Sequence, residues 1–208
     1  MKLQTMEDNE ILQIARDGAR LEARAVACVE NQIDDSVINV ARLIDQARGK
    51  VIVVGSGTSG TIARRLAHLL SVSGTPGVFV HPMDALHGTM GAIEGDDVLI
   101  ALSKGGESDE INSLCSLLSE QGTTIIGIGE QSESTLARLS DVFVCLHTAD
   151  GADPENVLAM GSTLVTAIWG DALARVLMAM HGWTVDESIR IHPAGAVGKN
   201  AICSQHEG

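Results

Sequence analysis

VIVVGSGTSG, residues 51–60, is the stretch on which the fold turns. A short β-branched run ends in a glycine-rich turn, and TIARRLAHLLSVSG (residues 61–74) follows with apolar residues at helical spacing. The order is strand, tight loop, helix. It returns at residues 98–102 with SKGGES (103–108) and a helix to about Glu120, and again at 123–128 with a helix near 134–140. Short apolar strands at 77–80 and 142–146 bring the expected count to five. Continuous apolar strands alternating with helices predict a parallel sheet covered on both faces, a three-layer α/β sandwich.

Upstream, residues 5–32 carry Ile11, Leu12, Ala15, Ala19, Ala25, Val26 and Val29 at helical spacing, and residues 36–48 repeat the pattern with Val37, Val40, Leu43 and Ile44. Downstream, residues 154–180 have the Ala, Leu, Val and Met content of a helix packed on the body or on another subunit. No linker or shift in composition divides the 208 residues. One domain is expected: N-terminal helices over 1–48, an α/β body over 51–180, and a C-terminal active-site segment and tail over 181–208.

Charge narrows the partners. Fourteen Lys+Arg against 27 Asp+Glu give a net charge of -13, which disfavours a broad basic face for nucleic acid or an anionic membrane. Aromatics are 2% of the chain and Tyr is absent, so base-stacking platforms are disfavoured too. The cysteines, Cys28, Cys115, Cys145 and Cys203, form no close pair of the zinc or redox type, so reduced thiols are expected. The acidic N-terminal stretch has no signal-peptide core, and no run of about 18 apolar residues is evident. A cytoplasmic protein is expected.

Both glycine loops fall at carboxyl ends of strands, where open α/β sheets bind ligands and helix N-termini favour anions. GSGTSG matches the dinucleotide pattern G-x-G-x-x-G, but that fingerprint also wants an acid at the end of the next strand. Here that strand ends at His81, with Asp84 only after Pro82. No redox cofactor is implied. What distinguishes the loops is hydroxyls: Ser56, Thr58 and Ser59 in the first, Ser103 and Ser108 in the second, with Lys104 supplying a cation. With the backbone of Gly57, Gly105 and Gly106 they make a candidate phosphate site. The competing reading is that the Ser and Thr residues serve only as turns and helix caps.

With these motifs in hand, the chain resembles the sugar isomerase (SIS) domain, and within it the arabinose 5-phosphate isomerases. The resemblance rests on VIVVGSGTSG, GTPGVFVHPMDALHG (74–88), DDVLIALSKGGESDEI (96–111), Ser162-Thr163, GDALA (170–174) and HPAGAVGK (192–199). It implies a five-stranded, flavodoxin-like sheet and a single SIS domain without the pair of CBS modules that longer members append. It also implies a homotetramer with shared active sites, and interconversion of aldose and ketose phosphates through an enediol. Carried over residue by residue, Glu107 matches a catalytic glutamate, and His192 and His87 match two functional histidines. Ser59, Ser103 and Ser108 match ligands of the phosphate and sugar.

Departures accompany the match. Thr58 stands where the family usually has Lys, Lys104-Gly105 where it has Asn-Ser, and Gly151 where a second catalytic glutamate falls. Asp150, Asp153 and Glu155 are the nearby candidates for the missing carboxylate, and Lys104 for the missing cation. Each functional reading has a plainer rival: Glu107 as an acid favoured at a helix start, His87 as a structural histidine or metal ligand, and Lys104 as a solvated loop lysine. Zinc would find His81 and His87 but no completing ligand, so no metal is expected. An alternative from another class is a non-catalytic sugar-phosphate sensor.

Overall fold

Along the central strand of the computed structural model, Val98, Ile100 and Leu102 enter one apolar cluster while Leu99 and Ala101 enter another. That period of two is what a strand buried on both faces requires, and it splits the core into two layers. The structure describes residues 6–194. In chain order its main elements begin with α1 (Asp8–Ala27), α2 (Asp35–Gln46), β1 (Val51–Gly55), α3 (Gly57–Val72), β2 (Gly77–Phe79) and α4 (Pro82–Leu86). They continue with β3 (Val98–Leu102), α5 (Asp109–Glu120), β4 (Thr124–Gly129), α6 (Thr135–Leu139), β5 (Val142–Cys145), α7 (Gly161–His181) and α8 (Val185–Arg190).

The five strands are parallel in the order β2-β1-β3-β4-β5, the flavodoxin-like arrangement expected from the sequence. Strand β3 pairs with β1 over Val51↔Val98 to Gly55↔Leu102 and with β4 over Val98↔Thr124 to Leu102↔Ile128. After β2 the chain crosses back over β1 to lay down β3, so the switch point lies between the carboxyl ends of β1 and β3. Helices α1, α2, α3 and α7 build the core on one face; α5 and α6, with Ala85 of α4, build the other.

Helix α7 is long and apolar enough, by length and composition, to cross a membrane, with a mean hydropathy of 1.4 over its best window. Its inner face is nevertheless core: Val165, Trp169, Leu173 and Leu177 are buried. Gly170 admits Leu66 of α3, and Arg65 of α3 makes a bidentate pair with Asp171 at 2.6 and 2.9 Å. Partly exposed, that pair is worth under about 1 kcal/mol; it sets how the two helices cross more than it stabilises them.

Three expectations change. The first helix ends at Ala27, and residues 30–32 form a separate 3-10 turn before Asp34 caps α2 through the Ser36 N–H at 2.9 Å. Most of GSGTSG is not loop: α3 begins at Gly57, so Thr58, Ser59 and Gly60 lie in its first turn. The expected helix from residue 154 begins only at Gly161, because Pro154 opens a 3-10 turn in which Glu155 and Asn156 take φ of 53° and 55°. The short α4 and α8 had no periodic signal long enough to read.

Candidate active site

The first glycine loop is built by close packing. A Cβ on Gly55 would lie 2.8 Å from the Ser59 carbonyl oxygen, and one on Gly60 would lie 2.7 Å from that of Gly55. The ends of the G-x-G-x-x-G pattern are thus explained by strand β1 abutting helix α3. Ser56 precedes the helix and donates its hydroxyl to Glu110 Oε1 at 2.5 Å. That bond, together with His81 nearby, holds the Glu110 carboxyl below its usual range.

The second loop turns through Gly106 at φ 69°, where a Cβ would also strike Ser134 Oγ. Ser103 is 6% exposed; its Oγ lies 3.3 Å from Ser108 Oγ and accepts the Gly106 N–H at 3.2 Å. Asn112 and Leu136 both donate to the Gly106 carbonyl, tying the loop to α5 and α6. Glu107 points outward: its Oε1 accepts the Thr135 N–H at 2.8 Å, which with Arg138 keeps its carboxyl below the usual range.

Between these loops and α7 lies an inner cavity lined by Ser59, Ser103, Lys104, Glu130, Ser162 and Thr163, with Ile62, Leu102, Ile128 and Leu146 among its apolar walls. Its open space is about 30 Å³, room for two or three waters at roughly 10–15 Å³ each. An outer hollow of about 410 Å³ adjoins it, lined by Glu130, His147, Thr148, Asp150, Asp153 and Glu155, among others. Glu130 and the loop before α7 form the shared wall.

Lys104 reaches across the cavity to that loop. Its Nζ donates to Asp153 Oδ2 at 2.6 Å and Asn156 Oδ1 at 2.8 Å, and lies 3.8 Å from Glu130 Oε2. Asp153 Oδ1 also accepts the N–H groups of Met160 and Ser162, at 2.8 and 3.0 Å, at the start of α7. Burial opposes its charge, yet Lys104 and the Ser162 and Met160 donors bring the carboxyl down to about 2. Asp153 is therefore a built-in anion at a helix N-terminus. Two hydroxyls on the walls of these spaces have no partner among the described residues: Ser162 Oγ, on a residue 7% exposed that lines the inner cavity, and Thr148 Oγ1 on the outer hollow. A buried hydroxyl without a partner costs about 1–3 kcal/mol, so an orphan on a residue that lines a cavity is a candidate ligand contact.

The sequence-expected residues divide into three groups. Ser59, Ser103 and Lys104 meet at the inner cavity, with Ser108 against Ser103. Ser56, Thr58, Glu107 and His87 do not line it; Thr58 is exposed in the first turn of α3, and His87, which follows α4, is exposed as well. His192 lies elsewhere. Its Nδ1–H donates to the Ser188 carbonyl at 2.6 Å, and Ser188 Oγ in turn donates to the Val72 carbonyl at the far end of α3. Thirteen residues of helix, about 20 Å at 1.5 Å each, separate Val72 from Ser59. Of the C-terminal motif, residues 195–199 lie outside the described residues, as do Cys203 and His206. Glu130 was missed, although it follows a strand's carboxyl end directly, and Ser162 and Glu110 entered only as members of family motifs without a site role.

A model of the SIS domain matches residues 43–175, more than half of the chain. The chain belongs to the SIS domain family. Arabinose 5-phosphate isomerase KdsD of Pseudomonas aeruginosa is 38% identical over 182 residues, covering 88% of this chain and 56% of that protein. This SIS domain thus spans a little over half the length of that relative. Among solved structures, c3406 of E. coli CFT073 in complex with arabinose 5-phosphate superposes with a TM-score of 0.85 at 30% identity, covering 90% of this chain and 100% of that one. A candidate sugar-phosphate isomerase from Listeria monocytogenes gives 0.87 at 32%, covering 91% and 100%. The matched span runs from α2 into α7, so both loops and the inner cavity fall inside the SIS domain.

Proposed function

We propose that this chain is a phosphosugar aldose-ketose isomerase, with arabinose 5-phosphate the first substrate to test. The observation that carries the reading is the inner cavity. Ser59, Ser103, Ser162 and Thr163 surround it beside the N-termini of α3 and α7, a donor-rich set suited to phosphate oxygens in a strongly acidic chain. The KdsD relatives and the arabinose 5-phosphate complex of c3406 favour the same ligand.

The chemistry moves hydrogen between adjacent carbons. A carboxylate takes the C2 proton of the aldose while the C1 carbonyl oxygen gains a proton, giving an enediol. Loss of the O2 proton and return of a proton to C1 gives the ketose. Glu107 is the family-matched base for the carbon proton, and its lowered carboxyl is ionised and ready at neutral pH. His192 assists ring opening or proton relay. Since His192 sits at the far end of α3, it reaches a site only across an interface, which favours sites shared between subunits; the family resemblance is what suggests a homotetramer in the cytoplasm. Exposed Val185 and Ile191 flank it, and Ile11, Leu12 and Ile14 stand exposed on α1, apolar surface of the kind subunit contacts cover.

Proton NMR in D₂O with a panel of aldose and ketose phosphates tests the function. Deuterium should enter at C2 with product formation, and Glu107→Gln should fold yet lose on the order of 10²-fold or more in rate. Full turnover in that variant would reject Glu107 as the base. Binding without exchange would leave the sensor reading. Light scattering should report a tetramer; a monodisperse monomer would remove the shared-site role of His192.

A further inference from the structure

Enediol chemistry needs a second group, one that handles the oxygen protons while the base handles carbon. Most carboxylates near the cavity are ill placed for this. Asp153 is saturated by Lys104, Met160 and Ser162. Glu107 already has the carbon proton as its task, Glu110 is held by Ser56 and does not line the inner cavity, and Asp150 and Glu155 line only the outer hollow. Among the described residues, the remaining carboxylate on these two spaces is Glu130.

We infer that Glu130 is the second proton-transfer carboxylate of this site, passing protons to and from the substrate oxygens at the junction of the inner cavity and the outer hollow. The inference rests on the isomerase reading. Glu130 follows β4 directly, lines both spaces, and has a side chain only 16% exposed. Its charged neighbour Lys104 stands 3.8 Å away, beyond hydrogen-bond distance and already committed to Asp153, so the carboxyl can still engage a ligand.

The groups facing Glu130 are Lys104 from the loop after β3, Cys145 at the end of β5, and His147 and Asp153 from the loop beyond it. Burial is the main influence and raises the Glu130 carboxyl above its ordinary value; Asp153 adds to this, while Lys104, the Thr148 N–H and His147 work against it. A carboxyl raised in this way holds its proton more readily than a free glutamate, as a proton donor must. In the forward step the protonated Glu130 gives its proton to O1 as Glu107 takes the C2 proton. The Glu130 carboxylate then accepts the O2 proton as Glu107 returns a proton to C1. Both groups end in their starting states.

The raised carboxyl also predicts how the variant folds. A group protonated more readily in the folded state supports stability at low pH and loses that support as pH rises through its folded pKa. Neutral Glu130→Gln should therefore melt at or above the wild-type temperature. With arabinose 5-phosphate in D₂O, we expect kcat to fall on the order of 100-fold and KM to move less than about threefold, the mark of a group acting in the transition state. Exchange at C2 should survive better than turnover, because Glu107 remains, and Glu130→Asp should recover part of kcat. If Glu130→Gln keeps kcat within about threefold of wild type, the inference is wrong while the isomerase reading stands. If the wild-type chain exchanges no proton with any sugar phosphate of the panel, both fall together.

Discussion

Two lysine-aspartate pairs sit at opposite ends of β3. At the amino end, Asp97 accepts from Lys50 Nζ at 2.7 Å and from the N–H groups of Lys50 and Glu94. At the carboxyl end, Asp153 accepts from Lys104 Nζ at 2.6 Å and from two N–H groups of its own. Their surroundings differ. Backbone closes over Asp97, so near that a Cβ on Gly49 would collide with its Oδ1. Asp153 stands beside a cavity, two orphan hydroxyls, and two non-glycine residues at positive φ. Such strain is held where surrounding structure over-determines it, often at functional sites. One motif serves as a clasp and the other as part of a site.

The largest effect that would sharpen this contrast is on stability. Asp97→Ala strands two backbone N–H groups and the Lys50 ammonium, and should cost about 3 kcal/mol in urea unfolding without changing phosphate affinity per folded molecule. Asp153→Ala should cost less, about 2 kcal/mol, the worth of a carboxyl held near 2 rather than at its ordinary 3.8. Both carboxyls are depressed by their partners. The stabilisation from Asp153 is complete above about pH 4 and fades as pH falls toward 2, that from Asp97 is likewise lost on the acid side, and each alanine variant should flatten its share of the acid limb. Only Asp153→Ala frees Lys104 and the N-terminus of α7, so only it should tighten inorganic phosphate binding, about tenfold in calorimetry. Equal phosphate responses from the two variants would dissolve the distinction.

Much of this was legible in the sequence. The five strands were, because VIVV, VLIAL and IIGI are runs without a charged or hydroxyl side chain and end at glycine or serine. Ser59, Ser103 and Lys104 followed from the rule that ligands sit beyond strand ends. The loop at 148–160 was not, because nothing local in ADGADPENVLAM tells which acid will meet Lys104, 49 residues away from Asp153. Glu130 was missed although the same strand-end rule applies to it, because IGIGE carries none of the hydroxyls that mark the other two strand ends. His192 was read as a site residue from its motif, while its distance from the loops depends on how α8 docks on Val72, a tertiary fact.

The smallest loss of stability is the most discriminating. Ser162 Oγ and Thr75 Oγ1 are both buried without partners, on residues 7% and 2% exposed. Thr75 follows α3 at the amino end of the sheet, near the Lys50 clasp, where Thr75 N–H bonds to Leu70; Ser162 lines the inner cavity. Removing an orphan hydroxyl breaks no bond and relieves the cost of burying it, so stability should hold or rise by up to about 1–3 kcal/mol. Ser162→Ala and Thr75→Val should therefore unfold at the wild-type urea concentration or above it. They should part company in binding: Ser162→Ala loses about 1 kcal/mol of a hydrogen bond made only to ligand, roughly fivefold in affinity for a sugar phosphate, and Thr75→Val loses none. If both leave affinity unchanged, the Ser162 hydroxyl is a packing defect like that of Thr75, and the phosphate must be held by Ser59 and Ser103 without it.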